Sequence, residues 1–185
     1  MQVSLDGFIE GSDGDMSWMA KDDEEQWTDL FEMLQSVDLF LLGRIMWPAY
    51  RDYWKKALTS STASGNEVAY AKLAEKTRHT VFSQMMEDPQ WENTTIIKEP
   101  VVEEVAKIKN RPGKDIQVVG GAKLAATIIE AGLVDEYRLI INPVIIGEGK
   151  SFFRDQHLKQ SLQLISTKKL SSGVIIARYQ AQTLA

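Results

Sequence analysis

The chain contains no cysteine, which excludes both a disulfide framework and a thiolate metal site. Histidine is nearly as scarce: His79 and His157 stand far apart and share no local metal-ligand pattern. Both are expected to be ordinary surface or boundary residues. No apolar run approaches the ~20 residues that cross a bilayer, and no signal-peptide pattern opens the chain. A soluble, cytoplasmic protein with no membrane partner is therefore expected. Basic residues are not in excess: 21 Lys and Arg face 26 Asp and Glu, for a net charge of −5. That balance argues against a nucleic-acid surface. Small anionic ligands remain compatible with it, because helix ends and single arginines override a mildly acidic whole. Internal repeats and linkers are absent too, so the 185 residues, 44% of them hydrophobic, are expected to form one domain, 1–185, with a substantial core.

What the chain does have is most concentrated between Val118 and Phe153. Ile116–Val119 is a short apolar strand, and Gly120-Gly121 leaves its carboxyl end without a Cβ. The spacing of Leu124, Ile128 and Ile129 predicts a helix over Ala122–Ala131, with Gly132 as its stop. A helix whose first amides follow bare glycine backbone offers N–H donors and a positive dipole end to an anion. Two glycines serve tight helix–strand packing equally well. Both readings stand at this point.

Elsewhere, Met1–Asp6 has the pattern of the second half of a strand, turning at Asp6-Gly7 into Phe8-Ile9. A strand seldom begins at an initiator residue, so a few native residues are expected to precede it. Glu10–Asp15 is a polar, glycine-punctuated loop. Asp22–Val37 is predicted helical, with an acidic first turn and an apolar face of Trp27, Leu30, Phe31 and Leu34. Asp38 interrupts, and Leu39–Leu42 is a strand buried on both faces. Trp47-Pro48 opens another helix; Asn66–Lys76 is helical; Thr80–Phe82 and Thr94–Lys98 are strands; Pro100–Asn110 is helical. The chain closes on a hairpin, Leu162–Leu170 and Val174–Gln180 around Ser171-Ser-Gly173. Strands alternating with helices and ending in a hairpin describe an α/β fold: a mixed sheet flanked by helices, with antiparallel strands added at one edge.

Three predicted strand ends share a property. Leu42 is followed by Gly43-Arg44, Phe82 by Ser83, and Val119 by Gly120-Gly121. In open α/β sheets, ligands bind beyond the carboxyl ends of strands. With three phosphate-compatible ends in one chain, phosphate binding becomes the preferred reading of the glycine pair.

These segments resemble the dihydrofolate reductase-like superfamily, and within it the branch holding the C-terminal reductase domain of bacterial riboflavin biosynthesis. The similarity rests on Ser4–Ile9, Leu42-Gly43-Arg44, Val118–Gly121, and Asp135–Gly149 with Phe152-Phe153, in the expected order along nearly the whole chain. It implies an NADPH-dependent reductase whose cofactor lies across the carboxyl edge of the sheet. By the same resemblance, Gly43 and Arg44 match a glycine-arginine pair whose guanidinium approaches the phosphate of the adenosine half. Ser83 matches a position whose hydroxyl binds the 2′-phosphate, with Lys76 and Arg78 near in sequence. Gly120, Gly121, Ala122, Lys123 and Leu124 match the pyrophosphate turn. Glu10–Trp18 matches a mobile loop over nicotinamide and substrate, with Met16 and Trp18 as its contacts. Met46 departs from the pattern, standing where the family has threonine. Asp23 falls where the folate enzymes keep a buried acid, although an acidic run is also what a solvated helix start looks like. Asp6 matches the aspartate of the first strand, with a turn-stabilising role as its alternative.

The resemblance thus implies hydride transfer to a pyrimidine- or pteridine-type heterocycle, such as 5-amino-6-(5-phosphoribosylamino)uracil. Dihydrofolate reduction, or NADPH binding without turnover, are its alternatives. No metal is called for. A homodimer is expected, with the apolar strand Tyr137–Ile146 and the terminal hairpin as its interface; Pro143, lacking an amide donor, suggests an edge or bulge there.

Overall fold

The structure, a computed structural model, describes residues 1–20, 23–153 and 159–182. In chain order its strands and helices are β1 (Gln2–Ser4), β2 (Phe8–Glu10), α1 (Glu24–Leu34), β3 (Val37–Gly43), α2 (Trp47–Ala57), α3 (Gly65–Lys76), β4 (Arg78–Phe82), β5 (Thr94–Ile97), α4 (Val101–Lys109), β6 (Asp115–Gly120), α5 (Ala122–Glu130), β7 (Glu136–Asn142), β8 (Lys150–Ser151), β9 (Leu162–Lys169) and β10 (Ile175–Ala181). A 3-10 turn, Ser12–Gly14, sits in the loop after β2. The α/β class and the closing hairpin are as expected. The chain separates into two compact units, Met1–Gln26 with Ile128–Ala185, and Trp27–Thr127.

The unit Trp27–Thr127 is built on a parallel four-stranded sheet in the order β5-β4-β3-β6. Leu39, Phe40, Leu41 and Leu42 are all buried, as a strand covered on both faces requires. Phe40, Leu42 and Val81 pack with Trp47, Tyr50, Tyr70, Trp91 and Leu34 into one cluster, joined by Trp27, Leu30 and Phe31 from α1. Asp38 does not interrupt the strand as predicted. It belongs to β3 and accepts a 2.8 Å ion pair from Arg78 at the start of β4.

His79 departs most from expectation. It is 1% exposed, ringed by Phe40, Trp47, Tyr50 and Trp91 at 5.3–5.7 Å between ring centroids. Its Nε2 lies 3.5 Å from the Tyr50 hydroxyl, which lies 3.3 Å from that of Tyr70. Burial pushes its pKa down to about 4, so at neutral pH it is an uncharged member of an aromatic core. His157 lies outside the described residues.

The other unit holds a mixed sheet, β1-β7-β10-β9, and a two-stranded ribbon, β2-β8. β1 runs parallel to β7, and β10 is antiparallel to both β7 and β9. The hairpin thus extends the sheet of β1 and β7, while β3–β6 form a ladder of their own. Leu170, Val174 and Ile176 pack with Ile140 and Ala20. The predicted strand Tyr137–Ile146 ends at Asn142. Pro143, having no amide to donate, terminates it rather than marking an edge. Past Pro143, Gly149 at φ +135° is held so close to β2 that a Cβ would stand 2.1 Å from the Glu10 carbonyl oxygen. Only glycine fits there.

Candidate functional site

Parallel pairing brings four strand ends of Trp27–Thr127 to one edge. Gly43 is in register with Phe82, Phe82 with Ile97, and Leu42 with Gly120. Three of these ends were anticipated from sequence. The fourth, Ile97-Lys98, was missed, though an apolar Thr-Thr-Ile-Ile run followed by lysine was the available signal. Its Lys98 is engaged with Glu87 at 2.7 Å.

The glycines are there because backbones approach closely. Gly121 has φ +97°, and a Cβ on it would stand 3.2 Å from both N and Cα of Gly43. A Cβ on Gly43 would meet Gly121 at 3.6 Å and the Leu124 side chain at 3.5 Å. A Cβ on Gly120 would fall 2.1 Å from the Met46 sulfur. Met46 therefore fills the space over Gly120. The contact that requires glycine at 121 also sets the start of α5 beside β3.

The first helical bond into α5 runs from the Ala125 amide to the Gly121 carbonyl at 3.0 Å. The amides of Ala122, Lys123 and Leu124 precede it and form the helix's positive end. Lys123 is exposed and Leu124 buried, as a helix with one apolar face requires. After β3, the Met46 amide bonds back to the Gly43 carbonyl at 3.1 Å, and this turn leaves Arg44 exposed. Arg44 makes no ion pair among the described residues. Ser83 is buried, and its hydroxyl oxygen accepts the amides of Met85 (3.3 Å) and Met86 (3.0 Å). Among the described residues this hydroxyl donates to no acceptor. A permanently charged fork, helix-start amides and one hydroxyl are a donor set that fits a phosphorylated cofactor. Lys76 and Arg78 cannot join it. They sit at the amino end of β4, opposite Ser83, and Arg78 is bound to Asp38.

The expected substrate-side residues lie in the other unit. Met16 is 55% exposed. Trp18 is half-buried and donates its indole N–H to the Asp15 carbonyl at 3.1 Å. Their loop is braced by the Gly11 amide on the Asp15 carbonyl (2.8 Å) and by the Ala20 amide on the Asn142 side chain (3.1 Å).

Asp6 and Asp23 are both structural ligands of backbone. Asp6 accepts from the Ser4 hydroxyl (2.6 Å) and from the amides of Ile146 (3.3 Å) and Gly147 (2.8 Å). The Ser4 bond first, and the amides with it, hold its carboxyl below the usual range. Asp23 caps α1, accepting from the amides of Glu25 (2.9 Å) and Gln26 (3.1 Å), and it accepts the Ser172 hydroxyl. Partial burial acts to raise its pKa, but the bonds from Ser172, Gln26 and Glu25 outweigh it and the net shift is downward. Glu25 likewise accepts the amide and hydroxyl of Ser171. The acidic run thus fastens the β9–β10 turn to the start of α1. Local sequence carries no sign of it.

Among the described residues no group of three His, Asp or Glu could hold a metal ion, and no helix is long and apolar enough to cross a membrane.

Comparison with known proteins agrees with the fold. A family model described as the RibD C-terminal domain matches residues 1–176. The uncharacterized protein YyaP of Bacillus subtilis is 37% identical over 175 residues, covering 95% of this chain and 89% of its own length. YwjB of the same organism, also uncharacterized, is 27% identical over 172 residues (93% and 90%). Among solved structures, a protein of Shewanella sp. PV-4 ascribed to riboflavin biosynthesis superposes with a TM-score of 0.75 at 17% identity, over 99% of this chain and 97% of its own. A pyrimidine reductase-like protein of Corynebacterium diphtheriae gives 0.63 at 15% identity (99% and 90%). The Thermotoga maritima diaminohydroxyphosphoribosylaminopyrimidine deaminase/5-amino-6-(5-phosphoribosylamino)uracil reductase gives 0.67 at 16% identity, over 98% of this chain and 55% of that protein.

Proposed function

The chain belongs to the RibD C-terminal domain family, and we propose that it is an NADPH-dependent reductase of a pyrimidine- or pteridine-type heterocycle. The observation that carries this reading is the shared edge of Gly43-Arg44, Ser83 and Gly120-Gly121, with α5 starting beside it. NADPH supplies the hydride when bound. The chain's own part is to bind and orient it. Arg44 and Ser83 would hold the adenosine-side phosphates, and the amides of Ala122, Lys123 and Leu124 the pyrophosphate. Orientation of this kind contributes much of the rate in a reaction whose chemistry belongs to the cofactor.

The bonds made by Asp6 and Asp23 bear on the substrate. A carboxyl held below its usual range is a weak proton donor at neutral pH. That favours a substrate protonated from solvent over dihydrofolate, whose reduction calls for an acid on the protein. The aminouracil ribose phosphate named for the Thermotoga protein is therefore the first substrate to try. NADPH oxidation followed at 340 nm with that compound, with related aminopyrimidines and with dihydrofolate tests the reading. Oxidation with a pyrimidine substrate supports it. NADPH binding with no turnover of any of these would leave a non-catalytic cofactor-binding protein as the better account.

A further inference from the structure

Two glycines stand at the end of β6 for different reasons. Gly121 has φ +97°, whereas Gly120 does not lie in the left-handed region, so nothing in its own backbone calls for glycine. The three atoms nearest a Cβ at position 120 are Sδ, Cε and Cγ of Met46, at 2.1, 2.7 and 3.8 Å. Gly120 leaves room for one side chain, and that side chain fills it. Methionine is an unexpected residue for the place it holds. It is the N-cap of α2 and makes no side-chain cap bond, where Ser, Thr, Asp or Asn would satisfy an orphan amide of the first turn. A local rule broken without local gain is characteristic of functional positions. The Met46 backbone is fixed on both sides: its amide donates to the Gly43 carbonyl (3.1 Å), and its carbonyl accepts the Tyr50 amide (3.0 Å). Its thioether packs against the core cluster that holds Trp47 and Tyr50. Three rotatable bonds give that side chain a freedom its backbone lacks. Arg44 and Ile45 (74% exposed), on the same turn, already stand in solvent.

We infer that Met46 is a gate on the cofactor's pyrophosphate, a role that rests on the cofactor reading above. The thioether closes the Gly120 side of the α5 start and turns aside to admit the phosphates. A phosphate and a thioether cannot share that space. The sulfur offers an anion no donor, and in place it screens the glycine backbone that the anion must approach. Opening needs only side-chain torsions, because the turn from Gly43 to Met46 keeps its backbone bonds. The closed rotamer weakens binding by the fraction of molecules in which the gate stands open. Pyrophosphate is common to NADPH and NADH, so both cofactors are weakened alike. That separates Met46 from Arg44, whose effect falls mainly on NADPH.

Calorimetric titration of wild type, Met46→Ala and Met46→Leu with NADPH and with NADH, well below the melting temperature of each protein, tests the gate. Met46→Ala should bind both cofactors about fivefold more tightly than wild type, by the same factor for each. Met46→Leu keeps the volume but is less flexible, and should gain nothing. Met46→Ala binding no tighter than wild type, a gain confined to NADPH, or an equal gain in Met46→Leu overturns the gate while the cofactor reading stands. Binding of neither cofactor to any of the three proteins at millimolar concentration removes the cofactor reading, and the gate with it. The wild type supplies a second measurement that does not depend on how well Met46→Ala folds. With the methyl groups of the seven methionines isotope-labelled for NMR, the signal missing from the Met46→Leu spectrum belongs to Met46. Saturating NADPH should shift that signal in the wild type. A signal unmoved at saturation overturns the gate.

Discussion

Replacing His79 with phenylalanine should remove about 2 kcal/mol of the pH dependence of stability between pH 7 and pH 5 while leaving the fold intact. In the folded chain the imidazole is 1% exposed, and burial lowers its pKa from 6.5 to about 4. The unfolded chain takes up a proton near 6.5 and the folded chain does not until near 4, so the unfolded state binds more protons throughout that window. The stabilisation is therefore complete above pH 6.5 and is lost as pH falls toward 4. At about 1.4 kcal/mol per pH unit, the full window is worth about 3 kcal/mol, of which about 2 kcal/mol falls between pH 7 and pH 5. That is a large share of the ~5–15 kcal/mol holding a typical domain together. Urea denaturation of wild type and His79→Phe at several pH values reads it directly. The Met1 amine, whose pKa burial lowers from 8.0 to about 5, titrates with the same sign in both proteins and cancels in the difference. The carboxylates with lowered pKa, Asp6, Asp23 and Glu25, act at more acid pH. If His79→Phe loses stability as steeply as the wild type, the histidine is not held neutral by burial and this reasoning fails.

The glycine pair makes two further predictions. Gly121→Ala forces a side chain onto φ +97° against the Gly43 backbone and should cost about 1–3 kcal/mol, read as a fall in urea midpoint. Gly120→Ala meets only the Met46 side chain; its cost, also about 1–3 kcal/mol, should largely vanish in a Met46→Ala background. Asp23→Ala removes a helix cap and should lower stability by about 1 kcal/mol with the turnover number unchanged. A fall in turnover of about a hundredfold or more at unchanged Tm would make Asp23 the substrate's acid instead.

What could be read from sequence follows from how each signal is stored. Leu39–Leu42 was legible because a strand buried on both faces writes an unbroken apolar run. α5 was legible because Gly121 and Gly132 punctuate it, the latter bonding back to Ile129 at 2.8 Å. The closing hairpin announced itself at Ser171-Ser-Gly173. Relations between distant residues were not legible. His79 is a lone histidine in sequence, and its cage comes from β3, α2 and the loop before β5. The acidic run at Asp23–Glu25 looks solvated until Ser171 and Ser172, nearly 150 residues on, are folded against it. Tyr137–Ile146 looks like one apolar strand because hydropathy does not register that Pro143 has no amide. At the candidate cofactor edge, glycines, arginine and serine were visible as strand-end punctuation. That a single close approach of Gly121 to Gly43 sets the start of α5 beside β3 was not.

Isothermal titration of wild type and Arg44→Ala with NADPH and with NADH tests the central claim most directly. If the cofactor lies along the Gly43, Ser83 and Gly120 edge with Arg44 on its adenosine-side phosphate, the wild type binds NADPH more tightly than NADH. Arg44→Ala then loses about 1.5–3 kcal/mol, or roughly 10–100-fold, for NADPH and far less for NADH. Absence of NADPH binding at millimolar concentration, or an equal loss for both cofactors, would contradict it.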